Sequence, residues 1–288
     1  MLLIRRSLAV VTSAALVLTL SSACRGTADD EPPVATPSLT LNYDRVPIGS
    51  PVTVTYRFEV AQGASIDDDY WVFMHVLDPD GERLWDDDHQ PPRPTSTWKP
   101  GEVIEYSRTL FVPTYPYIGE GVVRLGLYKG TRRLPLAGTE ATRREYVVAR
   151  LQILPQSENI FRIYRDGWHM AEVAADSPAT EWQWTTGRAT LSFRNPKSDV
   201  LFYLESDARP DLFPEPQLVT IRVDDQVVGS FRADSRERKL QTFPITAAQL
   251  GTGDMVELVI EVDRTFRPQG GDPRELGIRV FNTFIDAR

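Results

Sequence analysis

The sequence predicts an all-β chain with two antiparallel β-sandwich domains in tandem, the first Ig-like and the second a jelly roll. Three observations carry this expectation. Apolar or alternating runs of strand length recur roughly every ten residues, with Pro, Gly and Asp between them. No window shows a convincing helical period. Pro155-Gln156-Ser157-Glu158-Asn159 then interrupts the pattern between two such sets. The break divides the chain into a domain at 38–155 and another at 156–288.

The first residues set the address. Arg5 and Arg6 form a short basic head, and Leu8 to Ala23 follows without a charge. A basic head, an apolar stretch and small residues before a cut site make a secretory signal over 1–23. The apolar stretch falls short of the roughly 20 residues that span a bilayer. It ends in Leu20-Ser21-Ser22-Ala23-Cys24, and Cys24 is the single cysteine of the chain. This ending resembles the lipobox of bacterial lipoproteins, with Ser21 standing where Leu is commonest. The resemblance implies that Cys24 becomes the lipidated first residue of an exported protein anchored to the membrane of the cell envelope. Arg25, which follows it, is not the aspartate associated with inner-membrane retention, so the outer membrane is the expected site. Residues 24–37 continue as a polar, acidic, proline-rich tether with nothing to pack.

Composition narrows the partners. Of 288 residues, 41% are apolar, enough for a core in each half. Loss of Arg5 and Arg6 with the signal leaves 30 basic against 40 acidic residues, a net charge near −10. That balance excludes nucleic acid, which needs a basic face, and disfavours anionic polymers unless a local patch reverses the field. A lone cysteine allows no intramolecular disulfide and no thiolate metal site.

In the first domain, Pro51 to Val60 alternates and places Val52, Val54, Tyr56 and Phe58 on one face. Tyr70 to Leu77 is apolar on both faces, as a central strand is. Asp78-Pro79-Asp80-Gly81 turns the chain. Arg83 to Asp86, Val103 to Val112, Val122 to Lys129, Arg133 to Leu136 and Glu145 to Leu154 follow as strands. About eight short strands with proline-rich corners make an Ig-like sandwich. Asp86-Asp87-Asp88-His89 and Asp67-Asp68-Asp69 suggest calcium at first sight, but consecutive acids on a strand point to opposite faces. No metal is expected there. His75, in step with Trp71, Phe73 and Leu77, reads as a hydrogen-bonded core or face residue rather than a base.

Phe73-Met74-His75-Val76-Leu77-Asp78-Pro79-Asp80-Gly81, Asp88-His89-Gln90-Pro91-Pro92, Pro94-Thr95, Trp98-Lys99-Pro100-Gly101-Glu102 and Gly126-Leu127-Tyr128 form an ordered series. Over roughly residues 50 to 135 it resembles β-sandwich modules of bacterial surface lipoproteins and of membrane glycosyltransferases. The resemblance implies a fold and no defined activity.

The second domain opens with Ile160 to Val173, where Gly167-Trp168-His169 makes a turn. Trp182 and Trp184, two residues apart in a strand, face the same way. Ala189 to Phe193 and Val200 to Glu205 follow, then a hairpin of Leu218 to Val223 and Val227 to Phe231 about Asp224-Asp225-Gln226. Thr246 to Leu250 is expected as one helical turn. Met255 to Val262 alternates cleanly, and Gly277 to Ile285 closes a jelly-roll-like sandwich. Trp182-Gln183-Trp184-Thr185, the hairpin at Asp224, Val262 to Pro268 and Gly271 to Gly277 resemble jelly-roll domains appended to bacterial glycosyltransferases, which are similar to carbohydrate-binding modules.

No Gly-x-Ser-x-Gly elbow, His-Glu-x-x-His or phosphate-cradling loop occurs, so neither enzyme activity nor a cofactor is expected. Two functions stay open. One is a carbohydrate-binding or polysaccharide-associated lipoprotein, with aromatic rings against sugar faces. The other is a structural or assembly lipoprotein that binds envelope proteins. The expected ligand residues are Trp168, in its glycine-containing turn, and Trp184 if exposed, with Asp272 and Arg274 as polar partners. Asp272 and Arg274 better suit a structural pairing that pins a long loop to the sheet, as such ion pairs commonly do.

Overall fold

The computed structural model describes residues 31–114, 117–175 and 180–287. Cys24, the signal and most of the tether lie outside them. The first sandwich contains β1 (Ala35–Leu41), β2 (Arg45–Pro47), β3 (Pro51–Val60), β4 (Trp71–Leu77), β5 (Arg83–Asp86), β6 (Val103–Phe111), β7 (Gly119–Lys129), β8 (Arg132–Arg133), β9 (Glu140–Thr142) and β10 (Glu145–Leu154). One sheet has the order β1-β3-β6. The other runs β2-β10-β7-β4-β5, with β8 on β7 and β9 on β10. The leading edge divides between the layers: β1 pairs with β3 antiparallel, whereas β2 pairs with β10 parallel. This arrangement is that of an immunoglobulin-type sandwich.

Alternation fills the core. Val52, Val54, Tyr56 and Phe58 of β3 are buried and face Val72, Met74 and Val76 of β4 across the sandwich. The expectation that residues through Pro37 form a tether is corrected. Val34 and Ala35 are buried, and β1 begins at Ala35. Pro37 is tolerated because β1 lies at a sheet edge.

The second sandwich contains β11 (Arg162–Tyr164), β12 (Glu172–Val173), β13 (Glu181–Trp184), β14 (Arg188–Arg194), β15 (Val200–Asp207), β16 (Gln217–Val223), β17 (Gln226–Ala233), β18 (Lys239–Ile245), β19 (Met255–Val262) and β20 (Arg279–Ala287). Two antiparallel five-stranded sheets, β11-β14-β19-β16-β17 and β12-β13-β20-β15-β18, enclose a separate core. It includes Phe193, Phe202, Ile221, Leu258, Ile260 and Val280. The expected helical turn, α1 (Ala247–Leu250), is closed by a capping box between Thr246 and Gln249. Strand β18 is not legible in the sequence because Pro244 interrupts its pattern. It is an edge strand, where a missing N–H costs no ladder bond.

The chain leaves β10 through a 3-10 turn at Gln156–Glu158, and the Asn159 side-chain amide donates to the Ile48 carbonyl at 2.7 Å.

Candidate functional site

The outer face of the sheet β12-β13-β20-β15-β18 gathers aromatic rings and guanidinium groups by register. Trp184 on β13 lies opposite Arg279 on β20, which lies opposite Asp207 on β15. Directly opposed residues share a face, so these three form one row. Glu172 on β12 lies opposite Trp182 and extends the same face. The pairing of β15 with β20 shifts register between Glu205 and Ser206. This bulge leaves Phe281 unpaired and sets its ring 6.1 Å from that of Trp182.

Arg279 organises the row. Its guanidinium makes a two-pronged ion pair with Asp207, a buried carboxylate. It lies 4.9 Å from the Trp182 ring, 5.1 Å from Phe281 and 5.8 Å from Trp184. Arg238 covers Phe281 at 3.9 Å. Such contacts hold planar groups against one another and fix the ring orientations.

Beside this row the segment from Asp263 to Gly277 forms a long loop. Phe266 and Leu276 exchange backbone hydrogen bonds, which makes the base of the loop a short ladder. The buried Gln217 side chain donates to the carbonyls of Arg264 and Gly277 and clamps both ends. Arg274 ties the far part of the loop to the sheet. It bonds to Asp272 within the loop and to Glu172 on β12, whose other oxygen accepts from the Trp182 indole at 3.1 Å. The bonds from Arg274 hold the Asp272 carboxyl below its usual range, and Asp272 and Glu172 raise Arg274 in turn.

Loop and sheet enclose a hollow of about 680 Å³, lined by Trp184, Arg209, Leu212, Phe266, Arg267, Pro268, Gln269, Asp272, Arg274 and Leu276. The volume falls within the range of small-molecule sites. The Phe266 ring meets Trp184 edge-on at 5.7 Å. A larger hollow of about 890 Å³ lies at Ile160, Phe161 and Met255. There Asn159, Asn195 and Lys197 are spent on backbone carbonyls.

The structure brings three of the four expected ligand residues together. Trp184, Asp272 and Arg274 line one hollow, although Trp184 is buried, with 8% of its surface exposed. Asp272 and Arg274 take the structural pairing, so they pin the loop rather than reach outward. The expectation for Trp168 is corrected. Its ring packs against the core and lies 4.8 Å from Tyr164, and its indole N–H is committed to the Thr190 carbonyl at 2.9 Å. The turn does not expose it because Gly167 is pressed against the backbone at Arg188, which directs the next side chain inward.

Sequence reasoning missed Trp182 as a site residue, together with Arg279, Asp207, Phe281 and Arg267. Trp182 and Arg267 stood inside quoted motifs and were available. Asp207 and Arg279 are 72 residues apart and carry no mutual signal.

No family model matches the chain, and no curated protein matches it. Solved structures that align with it include the tandem CBM22-1–CBM22-2 domain of Paenibacillus barcinonensis Xyn10C. That pair is 11% identical over 84% of this chain and 80% of the other, with a TM-score of 0.31. Salmonella alpha-2-macroglobulin reacted with methylamine is 11% identical over 88% of this chain and 15% of its own, at 0.26. CBM51-2 and INT domains of Clostridium perfringens ZmpB, in complex with GlcNAc, are 12% identical over 87% and 41%, at 0.25. Scores this low transfer nothing from those proteins to this chain.

Proposed function

We propose that this is a non-enzymatic, lipid-anchored protein of the cell envelope that binds carbohydrate. The binding surface is the aromatic face of β13 and β20 with its adjoining hollow. The observation that carries the reading is the row Trp182, Arg279 and Phe281, locked by Asp207 and set beside a hollow with polar and apolar walls, one of them the buried Trp184. Rings held in place lose little freedom when a sugar stacks on them. The acids of this face are spent on Arg274, Arg279 and Trp182, which supports a binding role over proton transfer.

A titration with neutral oligosaccharides is expected to quench tryptophan fluorescence. Trp182→Ala should weaken binding by about fivefold, the equivalent of roughly 1 kcal/mol for one stacked ring, measured well below the melting transition of the variant. Absence of binding across a broad glycan panel defeats this reading. The alternative, a protein-binding role, then draws its support from Phe161 and Met170, which are 80% and 88% exposed.

The anchor is tested separately. A buried acyl chain contributes about 0.8 kcal/mol per methylene, so lipid on Cys24 holds the protein firmly to a membrane. Cys24→Ser is expected to yield an unprocessed precursor or a soluble product. A variant that fractionates and migrates like the native protein rules the lipid anchor out.

A further inference from the structure

We infer that the hollow beside Trp184 takes an acidic saccharide, one whose sugar ring carries a carboxylate. This inference rests on the glycan reading above and adds a charge to it. Four ionisable side chains line the hollow: Arg209, Arg267, Asp272 and Arg274. Three guanidinium groups against one carboxylate reverse, locally, the sign of a chain whose net charge is −8.

Two of those three are already matched. Arg274 is held by Asp272 and Glu172. Arg209 pairs with Asp211, which it shares with Arg236. Arg267 is exposed, and among the described residues it makes no hydrogen bond or ion pair. It sits between Phe266 and Pro268, so a free planar fork of N–H donors stands next to apolar wall.

A hexuronate presents the matching pair of features. One is an apolar ring face. The other is a planar carboxylate that accepts two parallel N–H bonds from a guanidinium. Charge favours a carboxylate over a phosphate ester. One unmatched positive charge neutralises a monoanion, whereas a phosphomonoester near −2 leaves a charge unmatched. Gln269, beside Arg267 and likewise without a partner among the described residues, offers an amide donor and acceptor to ring hydroxyls.

The test is calorimetry on the full chain, purified in a detergent without a sugar head group. The titrants are a glucuronate disaccharide, its neutral glucose analogue and the analogue phosphorylated at C6. The uronate is expected to bind about tenfold more tightly than the neutral sugar, as one charge-assisted bond implies. Arg267→Gln should remove that preference, so that within the variant the uronate binds no more tightly than the neutral sugar. High salt should shrink it in the native protein. Because Arg267 is exposed, an unchanged melting curve is expected to confirm that the variant folds. Equal binding of acidic and neutral sugars, or a preference that survives Arg267→Gln, overturns the charge assignment and leaves glycan binding standing. Tighter binding of the phosphorylated sugar overturns the choice of carboxylate. No binding of any of the three overturns this inference, while the glycan reading stands or falls on the broad panel.

Discussion

Asp87→Ala is expected to destabilise the first sandwich by about 3–5 kcal/mol and to lower its unfolding midpoint by roughly 10 °C. The Asp87 carboxylate is buried between the two sheets. It accepts from the Tyr56 hydroxyl at 2.7 Å and from Arg108 at 2.7 and 2.9 Å, and it lies 3.1 Å from His89 Nδ1. His89 Nε2 meets the Tyr106 hydroxyl at 2.8 Å, so the network joins β3 and β6 to the chain after β5. Truncation strands the Tyr56 hydroxyl in the core, where only the Met74 sulfur remains in reach at 3.5 Å. An orphaned buried donor is costly because no water replaces the lost partner. Arg108 is 40% exposed, so water screens its share and the buried contacts carry more of the loss.

The same variant should change the acid sensitivity of the protein. Burial alone pushes the Asp87 carboxyl up, but the bonds from His89, Arg108 and Tyr56 outweigh it and hold the group well below the carboxylate range. A depressed folded value means stability that is complete above the unfolded value, about 3.9, and is lost as pH falls through the folded one. The deficit of Asp87→Ala, read from denaturant unfolding, should therefore be largest near neutrality and narrow as the pH falls below about 4. A deficit independent of pH contradicts an ionised network.

Gly167→Ala is expected to cost about 3 kcal/mol or more and to disturb the candidate site as well. Gly167 has a φ of +85°, and a Cβ there meets the Arg188 carbonyl oxygen at 1.8 Å and the Ala189 Cα at 2.7 Å. The turn cannot simply retreat. The Gly167 carbonyl accepts from Thr186, the Asp166 carbonyl from Thr190, and the His169 N–H donates to Trp184. Shifting this turn pulls on Trp168 and on the backbone that carries Trp184. Thermal unfolding should show the loss, and tryptophan fluorescence of the folded variant should show the displaced rings. A variant with native stability means that the turn relaxes without resistance.

These residues separate what is local from what is not. Periodicity alone placed Val52, Val54, Tyr56 and Phe58 in one core layer, and Met255 to Val262 in a strand of the second sandwich. It also put Trp182 and Trp184 on a single face. Those features depend on a repeat of two within one strand, so a short window of sequence contains them. The Cys24 motif is local in the same sense. Which way the Trp182 and Trp184 face looked was settled elsewhere, by pairing with Arg279 and its partner Asp207.

Trp168 shows the limit most directly. Its glycine-containing turn suggests exposure, yet the Arg188 backbone packed on Gly167 turns the ring inward. Asp87 appeared in the sequence as one acid of three, and only the folded sheets surround it with Tyr56, Arg108 and His89. Glu172 and Arg274 are separated by 102 residues, and their ion pair closes the loop over the hollow. The sequence by itself determined which side chains share a face. The tertiary structure decided which faces are covered, because a charge finds its partner only after distant strands have come into register and water has been excluded between them.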